Sequence, residues 1–199
     1  MVFDRYASNY REILSEGFFY PTRNSTGFAE RNLSVNFARA YQSLNPSAVC
    51  WYEFQFGEKN DLHMDAILID RARRTLLLVE SKRLKGKKKE EEIREDVRRI
   101  ENGWPELFDG RISGDLVIDE IYGVILADIW TMKWSEKKKC YKPVAAIEKY
   151  KEQFENGTFA ARCMGSDARK RGEAAHYITP VPVRDGEGYH LASFVWKLK

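Results

Sequence analysis

Two apolar runs, His63-Met-Asp-Ala-Ile-Leu-Ile-Asp70 and Thr75-Leu-Leu-Leu-Val-Glu-Ser-Lys82, are joined by only four residues, Arg71-Ala-Arg-Arg74. Two extended apolar segments so closely connected fold as an antiparallel hairpin, because parallel strands need a far longer crossover. Placing Asp70 opposite Thr75 fixes the register, and counting inward brings Asp65 opposite Glu80. Residues two apart on a strand share a face, so Lys82 joins them on that side. Facing carboxylates repel one another and destabilise a sheet, a conflict that a bound divalent cation would remove.

The remaining pattern surrounds this hairpin with further elements. Glu30, Leu33, Phe37, Tyr41 and Leu44 recur at helical spacing, with Ser25 or Thr26 as a cap. Val49 to Phe56 alternates Tyr52, Phe54 and Phe56 against Trp51, Glu53 and Gln55, a strand period. Gly57 to Asp61 is a turn into the hairpin, whose arms are apolar on both faces and so belong to strands covered on both sides. Glu90 to Asn102 carries Ile93, Val97 and Ile100 on one face and stops at Gly103 and Pro105, as a crossover helix would. It leads to the buried strand Glu120 to Asp128, placed parallel to the strand of Glu80. Pro143 opens a helix with Val144, Ile147, Tyr150 and Phe154 on one side, closed by Gly157. Tyr177 to Val183 and Tyr189 to Trp196 are two final strands, the first at an edge because it contains Pro180 and Pro182.

Composition limits what such a chain can be. At 199 residues with 43% hydrophobic content it can bury one good core, so the expectation is a single domain over 1–199, with its centre at about 29–128 and residues 143–199 packed on it. No apolar run approaches the roughly 20 residues that span a bilayer, and no secretory signal is evident, so the expected location is the cytoplasm without a membrane partner. Cys50, Cys140 and Cys163 are widely separated and lack zinc-ligand spacing, which makes them reduced thiols. A net charge of +3 is too small to argue for nucleic acid by itself.

Local charge is more telling. Lys82-Arg-Leu-Lys-Gly-Lys-Lys-Lys89 places Arg83, Lys85, Lys87, Lys88 and Lys89 directly after the acidic strand, where counterion release would give affinity for a phosphate backbone without sequence preference. The bland alternative is a solvated loop balanced by Glu90-Glu-Glu92. Arg162, Arg169, Lys170 and Arg171 form a second basic stretch, either a loop closing on substrate or a plain exposed one. Carboxylate oxygens suit a hard cation such as Mg²⁺ or Mn²⁺, which completes its shell with water and substrate phosphate. A lysine beside it can position or deprotonate a water and neutralise charge on phosphoryl oxygens.

The spacing of Asp65, then Glu80-Ser81-Lys82 after Leu-Leu-Leu-Val, resembles the PD-(D/E)XK nuclease superfamily, and about half the chain takes part. Met64 stands where the family name has proline. The resemblance implies an α/β fold with a restriction-endonuclease-like core, a mixed central sheet flanked by helices in the order αβββαβ, here with C-terminal strand additions. It implies Asp65, Glu80 and Lys82 as catalytic residues, with Asp65, Glu80 and the Ser81 backbone carbonyl as metal ligands. Glu30 matches the acid that many members carry on the first helix, although a glutamate favouring the helix dipole explains it equally. Glu53 and Gln55 share a strand face beside the site, where one touches the metal's water shell or both are ordinary polar residues. His63, on the face of Asp65, either reaches a phosphate or is a structural histidine. The implied activity is Mg²⁺-dependent phosphodiester hydrolysis, with DNA the expected polymer and a homodimer compatible with it. The alternative is a catalytically inactive nucleic-acid-binding module of the same fold.

Overall fold

The sheet grows outward from the hairpin. The computed structural model describes residues 1–15, 30–56, 62–107, 116–165, 174–182 and 188–199. The predicted cap at Ser25 or Thr26, the turn at 57–61, the loop at 183–187 and the basic residues Arg169, Lys170 and Arg171 lie outside them. Helices α1 (Val2–Ser15) and α2 (Glu30–Leu44) precede strands β1 (Ala48–Phe56), β2 (Leu62–Asp70) and β3 (Thr75–Arg83). Helix α3 (Lys87–Gly103) then leads to β4 (Glu120–Trp130) and a small hairpin of β5 (Met132–Ser135) and β6 (Cys140–Pro143). Helices α4 (Ala145–Glu155) and α5 (Thr158–Met164) are followed by β7 (Ala175–Val181) and β8 (Tyr189–Lys197).

Six strands form one mixed sheet in the order β1-β2-β3-β4-β8-β7, with β3 and β4 parallel and the other neighbours antiparallel. The hairpin register is the expected one, running from Asp70 opposite Thr75 to Ala66 opposite Val79. Its tight turn is held by Asp70, which accepts hydrogen bonds from the Arg73 amide and the Tyr41 hydroxyl. Strand β7 lies at an edge, where a strand containing Pro180 is tolerated.

Burial follows strand alternation and gives three layers. On one face Ala66, Leu68, Leu77, Val79, Val124 and Leu126 pack under Tyr6, Tyr10, Leu33 and Phe37 of α1 and α2. On the other, Leu76, Leu78, Ile121, Ile125 and Phe194 pack under Ile93, Val97 and Ile100 of α3 and the apolar residues of α4 and α5. Burying a side chain of this size is worth about 1.5–3 kcal/mol, so these two clusters carry the fold. No helix among the described residues is long and apolar enough to cross a membrane. The three cysteines are free thiols, with Cys163 buried and Cys140 exposed.

Three elements go beyond what the sequence pattern predicts: α1, α5 and the β5–β6 hairpin. The expected faces of β1 need correction at Phe54 and Gln55, so Gln55 no longer shares the face of Glu53. Glu53 has φ of 51°, in the left-handed region, and this reverses the alternation after it. Phe54 therefore sits beside Trp51 with ring centroids 6.2 Å apart, rather than sharing the face of Tyr52. Tyr52 packs with the α1/α2 cluster and Phe54 with the α3 cluster.

Candidate functional site

Glu80 and Lys82 leave β3 on the face covered by α3, and their carboxylate and ammonium lie 3.9 Å apart. Asp65 of β2 reaches toward the same strand, and its Oδ2 accepts a hydrogen bond from the Ser81 amide at 2.7 Å. The regular β2–β3 ladder stops at Ala66 and Val79, one step short of Asp65 and Glu80, at the level where the left-handed Glu53 interrupts β1. Irregular backbone of this kind redirects side chains and is common beside functional sites.

Two further residues complete the cluster, and sequence reasoning did not single them out. Asp96 of α3 lies with its Oδ2 3.0 Å from Lys82 Nζ, and Arg99, one turn further on, donates to Asp96 Oδ1 at 2.7 Å and to Glu80 Oε1 at 2.5 Å. The signal was present: Asp96 falls on the helical stripe of Ile93, Val97 and Ile100, a face where an acid is buried only with partners.

The electrostatics follow from burial. Glu80 is 2% exposed, and burial, followed by repulsion from Asp65 and Asp96, pushes its carboxyl up to about 8 against the pull of Arg99 and Lys82. Burial also raises Asp65, with Lys82 and the Ser81 amide opposing it and Glu53 reinforcing it. For Lys82 burial disfavours the charge, but Asp96 and Glu80 outweigh it and hold the ammonium above its ordinary value. Burial thus favours the protonated form of Glu80 and of Asp65, a bound cation would favour their ionised forms, and Lys82 is kept charged.

The other predicted residues are distributed differently. Glu30 Oε1 accepts from the Arg83 amide at 3.1 Å and lies 3.4 Å from Lys89 Nζ. Arg83 pairs with the buried Asp128 of β4 at 3.2 Å, and Lys89 pairs with Glu92 at 2.6 Å, so these two basic residues are engaged within the protein. Lys85 is exposed just before α3 and Lys87 and Lys88 in its first turn, and Glu53, Gln55 and His63 are exposed on β1 and β2. Lysines in the first turn of a helix meet the positive end of its dipole, an unfavourable placement that a nearby anion would correct.

Among the described residues no group of three or more His, Cys, Asp or Glu is arranged to hold a metal ion. The donor chemistry nevertheless fits a hard cation: Asp65, Glu80 and the Ser81 carbonyl are all oxygen donors, and Mg²⁺ ordinarily takes only one or two protein carboxylates. Comparison of the chain with protein-family models, curated proteins and solved structures finds no match.

Proposed function

We propose that the protein is a metal-dependent nuclease of the PD-(D/E)XK type, with a restriction-endonuclease-like core over the helix, three strands, helix and strand from α2 to β4. Its substrate is nucleic acid, with DNA favoured. The observation that carries the reading is the coupling of Asp65, Glu80 and Lys82 on one sheet face, beside the exposed Lys85, Lys87 and Lys88. In this reading Asp65, Glu80 and the Ser81 carbonyl hold Mg²⁺ or Mn²⁺, which when bound lowers the pKa of water and screens charge on the phosphoryl oxygens. Lys82 stays protonated beside Asp96 and donates hydrogen bonds to the attacking water and to the scissile phosphate. The exposed lysines draw in the phosphate backbone and set no sequence preference.

A second reading, a binding module of the same fold without turnover, draws on the pairing of Glu80 and Asp96 with Arg99 and Lys82. One experiment separates them. Purified protein is incubated with linear, circular and single-stranded DNA and with RNA, in Mg²⁺, Mn²⁺ or EDTA, beside Asp65→Ala and Lys82→Ala. The nuclease reading expects metal-dependent cleavage that both substitutions abolish. Binding without cutting under either metal supports the module, and cleavage surviving both substitutions overturns the site.

A further inference from the structure

Each carboxylate oxygen of Glu80 and Asp96 faces one cation. Arg99 serves Glu80 Oε1 and Asp96 Oδ1 at 2.5 and 2.7 Å, while Lys82 serves Glu80 Oε2 and Asp96 Oδ2 at 3.9 and 3.0 Å. The two acids are 2% and 5% exposed at their side chains, so their charges depend on these partners rather than on water. The two cations are not equivalent. Lys82 projects from the central strand and is 16% exposed, whereas Arg99 hangs from α3 with 30% of its side chain in solvent.

A hard cation on Glu80 would share Oε1 with Arg99 or take Oε2, whose nearest partner Lys82 is 3.9 Å away. In either place it would meet the repulsion of the guanidinium on the same carboxylate. Of the two partners Arg99 is the one with a path to water, since its long side chain already reaches the surface and a guanidinium is easily hydrated at a helix flank. Its departure leaves Asp65, Glu80 and Asp96 opposed by Lys82 alone, a charge deficit that a divalent ion fills. The cluster is therefore stable as an ion-pair ring with Arg99 in place, and stable again with the metal in its stead.

We infer that Arg99 is the resident counter-cation of Glu80 and Asp96, a positioning residue that a divalent cation displaces from these oxygens in order to bind. The inference rests on the metal-dependent reading of the same site. It makes Asp96, which the resemblance does not assign, a further carboxylate available to the metal or its water shell. It also makes metal occupancy a competition, so the intact protein binds metal more weakly than its carboxylates alone would.

The test measures Mn²⁺ binding to the full-length chain by the electron paramagnetic resonance signal of free Mn²⁺, without nucleic acid. Arg99→Met, which keeps bulk without charge, is expected to bind Mn²⁺ about tenfold more tightly than the unmodified protein, the order expected for removing one close competing charge. Arg99→Lys, which keeps charge but can reach only one acid at a time, is expected to fall between them and secures the test should Arg99→Met fail to fold. Thermal unfolding supplies a readout that a purely structural role would not give. Arg99→Met should melt at lower temperature in EDTA and recover with Mn²⁺, whereas a structural arginine would leave a loss that Mn²⁺ does not repair. Binding that is unchanged or weaker in both variants overturns the role of Arg99 while leaving the metal site standing. No Mn²⁺ binding by any of the three proteins overturns the inference together with the metal-dependent reading.

Discussion

The Asp65 carboxylate accepts the Ser81 amide at 2.7 Å, so a side chain of β2 takes a main-chain donor of β3 where the regular ladder has ended. The same carboxylate is one of the two acids proposed to hold the metal, which gives Asp65 a structural duty and a chemical one. The two can be separated because an amide oxygen still accepts that hydrogen bond, more weakly than a carboxylate, while lacking the charge.

Asp65→Asn is therefore expected to keep the fold within about 1 kcal/mol of the unmodified protein and to abolish metal-dependent cleavage. Asp65→Ala is expected to lose cleavage and about 1–3 kcal/mol of stability while still folding, because the Ser81 amide is left without its acceptor. Urea unfolding of the two variants beside a cleavage assay checks this. Equal destabilisation by Asn and Ala would show that the Ser81 hydrogen bond contributes nothing.

A pH dependence of stability is expected from Asp128 in addition to that of Glu80 in the candidate site, whose carboxyl burial also raises. Asp128 is 1% exposed, and burial pushes its carboxyl up to about 6 from 3.8, despite Arg83 alongside. Because the folded state holds this proton more tightly than the unfolded chain, the group favours folding most below about pH 3.8 and progressively less as pH rises to about 6. At ~1.4 kcal/mol per pKa unit, the unmodified protein should lose roughly 1–3 kcal/mol relative to Asp128→Asn between acid and neutral pH. Urea midpoints of both proteins at pH 4.5 and 7.5, taken as a difference, isolate this carboxyl from the other titrating groups. A difference that grows in favour of the unmodified protein with rising pH would mean that Arg83 outweighs burial.

Gly123 lies on β4, next to the strand that carries the site, and a Cβ built there would come 2.3 Å from the Trp196 ring. Trp196 is 2% exposed, so the ring has nowhere to retreat. Gly123→Ala should cost on the order of 1–3 kcal/mol through overpacking and disturb the near-ultraviolet circular dichroism of the tryptophans. Adding Trp196→Leu to it should recover part of that loss, whereas additive effects would show that the two residues do not compete for the space.

Much of this architecture was legible because apolar patterning dictates it. The runs 63–70 and 75–82 could pair in only one way across four residues, and the parallel placement of β4 followed from a helix between two buried strands. The face of Phe54 was not legible, since alternation assumes regular dihedrals and no pattern announces a glutamate at φ 51°. Helix α1 carries Phe3, Tyr6, Ala7 and Tyr10 at helical spacing, a stripe hidden among polar residues, and the β5–β6 hairpin is too short to show a period. Asp65, Glu80 and Lys82 were found because charges inside apolar strands stand out. Asp96 and Arg99 were not, because charges are ordinary on a helix and only their position on its buried stripe distinguishes them. Lys89 and Arg83 look like phosphate ligands from their neighbourhood in sequence, while Glu30 and Asp128, distant in sequence, are what they pair with.

That last distinction predicts how the basic segment divides. If Lys85, Lys87 and Lys88 meet backbone phosphates, replacing all three by alanine should weaken duplex binding uniformly across sequences and reduce the slope of log K against log salt by about 2–3, close to one for each phosphate no longer neutralised. Lys89→Ala removes instead the ion pairs to Glu30 and Glu92, which are 3.4 and 2.6 Å away, and should leave that slope unchanged. It should cost at most about 1 kcal/mol of stability, because these partners are partly exposed and screened by solvent. Fluorescence anisotropy with labelled duplex over a salt series measures the slopes. A slope that falls equally for Lys89→Ala would mean that its ion pairs open to admit phosphate, and an unchanged slope in the triple variant would place the nucleic-acid path elsewhere on the surface.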